Sequence, residues 1–126
     1  MAEQSGGHDL TAHMYGKKLW VCLSKAVKPR DEVMKHLPEH LKHQINLEKT
    51  GVMFAAGPMD PKGDNEHPRL GLIIIRAEDE AAARKIFDAD PMHASGARTY
   101  SLFEWTANEG RIGITVDLSD KSYKLV

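Results

Sequence analysis

Histidine is the residue type that stands out in this chain, with seven copies in 126 residues. His36, His40 and His43 are spaced four and three residues apart, so a helix would bring them toward one face. Imidazole titrates near neutral pH and also ligates metals, so such a cluster could move protons or hold a metal ion. The plainer alternative is a solvated helix edge. We predict no metal site, because Pro38 interrupts the first spacing, no HExxH motif is present and the sequence fixes no acidic ligand.

Two residues could form an acid–base site. His40 lies at the edge of the apolar stripe of a predicted helix, where a side chain can be partly buried and still open onto a cleft. Asp90 is followed by Pro91, which stiffens the backbone and could hold a carboxylate in a fixed position. Spacing alone favours a plainer interpretation of His40, a surface histidine that covers the core edge. Asp90 could likewise only end a helix, and Asp88 could take its place.

Hydrophobic periodicity predicts the elements that position these residues. Alternating apolar residues indicate strands, and Val33, Leu37, Leu41 and Ile45, four residues apart, indicate one stripe on a helix. Pro38 divides that helix, so we expect a short turn over 31–36 and then a main helix with Pro38 in its first turn. The predicted order is a strand at 18–23, this helical region to residue 50, strands at 52–56 and 70–75, a helix over 78–88 and a strand at 100–105.

This order of elements predicts an α+β fold with a ferredoxin-like βαββαβ core, in which both helices cover one face of an antiparallel sheet. The strand at 70–75 is nearly all aliphatic and should be central. The other sheet face would expose apolar side chains, so a face-to-face homodimer is expected. Residues 112–118 alternate apolar and polar and predict an extra C-terminal strand, on its own sheet or on the partner's.

Composition limits the remaining possibilities. With 41% hydrophobic and 28% charged residues, the chain is expected to form one domain over 15–126 after a flexible N-terminal arm at 1–14. The net charge of −1 favours neither a nucleic acid nor a membrane surface as partner. The chain has no recognisable signal peptide, no apolar run long enough to cross a bilayer and a single cysteine, Cys22. We therefore expect a cytoplasmic protein.

Several short motifs occur together between Lys18 and Trp105. His40 stands eleven residues before Gly51, an Ala-Gly-Pro turn occupies 56–58, and an alanine-rich helix leads to the Asp-Pro pair at Asp90. In order and spacing this pattern resembles the YciI-like (YCII-related) family. The polar head before Tyr15, the long loop at 60–68, His93 and the tail after residue 108 depart from the compact family pattern.

The resemblance implies a dimeric α+β barrel with a catalytic histidine–aspartate pair, which maps to His40 and Asp90. The best-known activity in the family is dehydrochlorination of a chlorinated hydroxyhydroquinone. We therefore expect acid–base chemistry without a cofactor, of lyase, isomerase or hydrolase type, on a small aromatic or carbonyl-bearing metabolite. His40 would move the proton and Asp90 would orient and stabilise the imidazolium.

Further polar residues could bind the substrate. His43, Ser95 and Arg98 are candidates for a polar substituent, and Trp105 is one of several bulky side chains that could wall the pocket. The competing hypothesis is a non-enzymatic small-ligand-binding or interaction module built on the same dimer, because a fold does not imply a reaction. Hydrogen-bond contact between His40 and Asp90 in a cavity would favour the enzyme.

Overall fold

The computed structural model describes residues 10–63 and 67–125. Of the predicted arm at 1–14, residues 1–9 lie outside this range, and the arm stays a prediction. The chain divides into two compact units: one is Lys18–Thr106, and the other comprises the described residues before Lys18 and after Thr106. No helix in the described ranges is both long and apolar enough to cross a membrane.

The larger unit has the predicted α+β order. Its four strands form one sheet in the order β2-β3-β1-β4, which is the ferredoxin-like arrangement. Antiparallel pairing joins β1 to β3, with Trp20 opposite Ile75, and β2 to β3. The strands are β1 (Lys17–Ala26), β2 (Met53–Met59), β3 (Leu70–Ile75) and β4 (Arg98–Ala107), and the helices are α1 (Arg30–Lys35), α2 (Leu37–Lys49), α3 (Glu80–Asp88) and α4 (Pro91–Ala94).

The core forms where α3 packs on the two central strands. The buried cluster joins one face of these strands to Ala83 and Phe87 of α3, and its strand members are Trp20, Cys22, Ile73 and Ile75. Burial raises the pKa of the Cys22 thiol to about 12, so this residue behaves as a packed apolar side chain. The prediction that β3 is central is confirmed by its place between β2 and β1.

Pro38 divides the first helical region as expected. His36 both ends α1 and begins α2, and Pro38 sits in the first turn of α2, where its missing N–H costs nothing. The end of α2 is equally well marked. Gly51 has a φ of 81°, and Val52 N–H donates to Leu47 O at 2.9 Å, which is a Schellman ending that favours glycine.

The apolar stripe of this region is divided between two environments. Val33 is buried, whereas Leu41 and Ile45 are about half exposed and line a cleft between helix and sheet. Periodicity located the stripe but could not show that only its first part lies in the core.

The second unit contains a β-hairpin. The predicted extra strand is present as β5 (Ile114–Asp117), and it pairs antiparallel with β6 (Ser122–Leu125), placing Ile114 opposite Leu125. In the described part of the chain, the strand therefore lies in a sheet of its own. The sequence analysis did not identify β6.

Candidate active site

Asp90 occupies a position that local sequence specifies. It precedes proline, so it cannot continue α3, and its backbone is extended with φ −63° and ψ 125°. In this conformation it caps α4, and its Oδ1 accepts a hydrogen bond from Met92 N–H at 2.9 Å. The side chain is almost completely buried, with 1% of the residue surface exposed. The Asp-Pro pair thus fixes a carboxylate in the protein interior.

His40 contacts this carboxylate directly. Its Nδ1 lies 2.9 Å from Asp90 Oδ1 and 2.8 Å from Oδ2, although the two residues are 50 positions apart. Because an ionised carboxylate only accepts, Nδ1 carries the hydrogen and donates it, which leaves Nε2 as the other nitrogen of the ring. Asp88, the alternative partner, instead accepts a hydrogen bond from the Tyr100 hydroxyl at 2.7 Å.

Opposing effects set the charge of Asp90. Burial by itself raises the pKa of this carboxyl, but the hydrogen bonds from His40 and from Met92 N–H outweigh burial and hold the pKa below its ordinary value. Asp90 is therefore ionised at neutral pH. An ionised carboxylate therefore lies against the His40 ring.

The His40 side chain, 19% exposed, borders a cleft of about 640 Å³. This volume falls within the range of small-molecule sites. The wall is largely apolar and includes Val33, Leu37, Leu41, Ile45, Leu72 and Met92. Four cationic side chains also line it, namely Lys28, Arg30, Arg69 and Arg98. The cleft can take a small apolar body with a polar substituent.

The other predicted substrate-binding residues have different positions. Arg98 lines the cleft, whereas the remaining three are not among its described lining residues. His43 Nε2 lies 3.2 Å from Ile86 O, Ser95 contacts Met92 O from the end of α4, and Trp105 is 40% exposed on β4. Their roles in binding stay predictions.

A second polar network was missed by the sequence analysis. Ser24 Oγ lies 2.9 Å from His93 Nε2 and also accepts a hydrogen bond from Arg98 Nε at 2.9 Å. His93 Nδ1 lies 2.7 Å from Phe87 O. The sequence does contain one signal of this network. Ser24 continues the alternation of Trp20 and Cys22 along the strand, so it is a polar residue on the same buried face.

The three histidines of the first helical region have different surroundings. Among residues 10–63 and 67–125, no group of three or more His, Cys, Asp or Glu side chains could hold a metal ion. His40 contacts Asp90, and His43 turns to the backbone of α3.

Fold and site together define a small ferredoxin-like α+β protein with a histidine–aspartate pair beside a cleft. Residues 18–106 match the model of the YCII-related domain, and the chain belongs to this family. No curated protein matches the chain at a significant level.

A solved structure supports the fold. The 5-chloro-2-hydroxyhydroquinone dehydrochlorinase from Burkholderia phenoliruptrix AC1100, in complex with 2,5-dihydroxybenzoquinone, is similar with a TM-score of 0.52 and 16% sequence identity. The similarity covers 70% of this chain and 93% of the other.

Proposed function

We propose that this protein is a lyase that uses His40 and Asp90 for acid–base catalysis on a small aromatic substrate. The bond between His40 Nδ1 and the buried Asp90 carboxylate, at 2.8 and 2.9 Å, carries the proposal. It fixes the tautomer of the ring and leaves Nε2 as the proton acceptor of a side chain that lines the cleft. This division of roles is that of the histidine and aspartate in a catalytic triad.

The proposed reaction is loss of HCl from a chlorinated, hydroxylated ring. The reactive form is the keto tautomer, in which one hydroxyl proton has moved to the ring carbon that bears chlorine. His40 Nε2 accepts the proton of another hydroxyl group, and the electron pair of the broken O–H bond moves through the ring toward that carbon. The C–Cl bond breaks with its electron pair and releases chloride. Asp90 stabilises the imidazolium, which returns its proton to water. The substrate loses one proton and one chloride, so no oxidant or reductant is consumed.

Family membership and the structural neighbour support elimination over isomerisation or hydrolysis. The neighbour is named for dehydrochlorination of 5-chloro-2-hydroxyhydroquinone and was solved with a dihydroxybenzoquinone. A cleft of about 640 Å³ with apolar walls accommodates a ring of that size. A chlorinated hydroxyhydroquinone is therefore the first substrate to test.

The test is chloride release under anaerobic conditions, which prevent spontaneous oxidation of the hydroquinones. Wild-type protein is incubated with 5-chloro-2-hydroxyhydroquinone and with chlorohydroquinones and chlorocatechols, while chloride and the absorbance of the quinone product are followed. We expect release above the rate without protein for at least one compound. Binding without chloride release across the panel would contradict the proposal and favour the ligand-binding module.

We further propose that the protein is a homodimer formed through the sheet face opposite α3. Leu102 packs into the core, so its neighbour Phe103 and likewise Trp105 point to the other face, where they are 51% and 40% exposed. Aromatic side chains this exposed favour a covered surface.

Sedimentation equilibrium at micromolar concentration is expected to give twice the chain mass for wild type and a monomer for Phe103→Lys. Val27→Lys is the matched control, because Val27 is 54% exposed and does not lie on β4. A monomeric wild type, or a Phe103→Lys variant that stays dimeric, would count against this face.

We also propose that the protein acts in the cytoplasm. Its one cysteine, Cys22, is buried and free, as is typical of proteins from reducing compartments.

A further inference from the structure

Positive charge is concentrated around the cleft, although the chain as a whole carries a net charge of −1. Of the four cations in its wall, only Arg69 has a carboxylate partner among the described residues, Asp60 at 2.7 Å. Lys28, Arg30 and Arg98 have no ion pair within that part of the chain. Glu48 is the one acidic side chain in the described lining. A wall of this composition attracts an anion.

Arg98 is held rigidly by Ser24. Its Nε–H donates to Ser24 Oγ at 2.9 Å, and its Nη2 donates to Ser24 O at 2.8 Å. Ser24 is 3% exposed and is central in the sheet, so it is a fixed anchor. The guanidinium is therefore ordered before any ligand arrives, which lowers the entropic cost of binding.

His93 sets the direction of the hydrogen bond at Ser24. Phe87 O can only accept, so His93 Nδ1 carries the hydrogen and Nε2 of the neutral ring is an acceptor. Burial lowers the pKa of His93 and favours that neutral form. The Ser24 hydroxyl then donates to His93 Nε2, and its lone pairs face Arg98.

This arrangement leaves one edge of the guanidinium available. Of its five N–H groups, two bond Ser24 along the Nε and Nη2 edge. The Nη1 and Nη2 edge retains two roughly parallel donors, the geometry that binds an oxyanion with two hydrogen bonds. Gly71 lies beside it, where even an added Cβ would stand 3.8 Å from Nη2. Gly71 and Arg98 both line the cleft, so a ligand in the cleft lies next to the guanidinium.

We propose that the cleft binds an aromatic oxyanion, a carboxylate or an ionised phenol, with its oxygens on Arg98 and its ring against the apolar wall near Leu37 and Met92. Lys28 and Arg30 add positive charge at the same wall. This assignment gives the substrate class for the cleft of the proposed function. It rests on that function only in stating that the bound ligand reacts.

Equilibrium binding tests the assignment without requiring turnover. Isothermal titration at fixed ionic strength compares 3-chlorobenzoate with its neutral isostere 3-chlorobenzamide, and 2,4-dinitrophenolate provides the phenolate arm. The wild type is expected to prefer the benzoate over the benzamide by about 10- to 100-fold, the range for a charged hydrogen-bonded contact. A benzoate preference with no phenolate binding would restrict the class to carboxylates.

Variants locate the contact. Arg98→Gln is expected to abolish the preference, Arg98→Lys to retain part of it, and Arg84→Gln to leave it unchanged, because Arg84 pairs with Glu80 on the surface of α3. Equal wild-type affinity for benzoate and benzamide, no binding of any of the three probes, or a preference that survives Arg98→Gln would overturn the assignment. Oxyanion binding through Arg98 without chloride release would instead disprove only the lyase.

Discussion

Replacing His40 with Asn is expected to lower kcat for chloride release by about 100- to 10,000-fold, the usual contribution of a positioned general base. The Asn amide N–H can still donate toward the buried Asp90 carboxylate, so the fold should persist. It has no nitrogen in the place of Nε2, so the proton acceptor is lost. KM should change little, because the apolar wall and Arg98 are untouched. Steady-state kinetics with the best substrate of the panel measures both constants.

The matched control is His36→Asn, the same substitution four residues earlier. His36 lies at the junction of α1 and α2 and is not among the described residues that line the cleft. It should therefore keep wild-type kcat. If His40→Asn retained more than about a tenth of wild-type kcat, well above the level left by loss of a general base, proton transfer by His40 would be ruled out.

Local physics made most of the larger unit predictable. Pro38 cannot lie in a helix interior, so the division of the first helical region follows from one residue. The strand Leu70–Ile75 has the predicted bounds. Its five aliphatic residues and one glycine form a continuous apolar run, which is typical of a strand that is covered on both faces. The helix α3 begins at residue 80 and not at the predicted residue 78. The reason is that Asp79 caps the helix: its side chain accepts a hydrogen bond from Ala82 N–H.

Short or long-range features were not predictable in the same way. Four-residue α4 and β6 are too short for periodicity to reveal, although an Asp cap followed by Pro is a helix-start signal that could have indicated α4. The contacts of Ser24 with His93 and Arg98 join residues 69 and 74 positions apart. Only the folded sheet brings them together, and no spacing in the sequence encodes them.

The His40 and Asp90 pair was predictable from the sequence only in part. Local chemistry places each residue, since Asp-Pro fixes the carboxylate and the helix fixes the ring. Their proximity depends on how α2 packs against α4, which periodicity cannot give. Resemblance to the family supplied the pairing, and the distances of 2.8 and 2.9 Å provide a physical reason for it.

Replacing Asp90 with Ala is expected to lower the free energy of unfolding by about 2–4 kcal/mol, because a buried donor at the α4 cap and a partly buried donor both lose their acceptor. Those donors are Met92 N–H and His40 Nδ1–H. Urea denaturation at neutral pH measures the change. Asp79→Ala is the control, since Asp79 caps α3 but is exposed, and it should cost only a single cap, about 1 kcal/mol. Equal losses would mean that burial and the His40 bond add nothing.

Asp90 also makes stability depend on pH in acid. Burial raises the pKa of the carboxyl, but the stronger effect of its hydrogen bonds leaves the pKa below that of the unfolded chain, about 3.9. Between the two values the unfolded chain binds the proton and the folded protein does not, so the free energy of unfolding rises with pH. The contribution is complete above the unfolded pKa and is lost as pH falls through the folded pKa. Urea melts at a series of pH values down to about 2.5 should therefore show a flatter acid limb for Asp90→Asn than for wild type. If the acid limbs of the two stability curves were parallel, the fold would not favour the ionised form of Asp90. His40 would then lack the fixed negative partner that its role as a base requires.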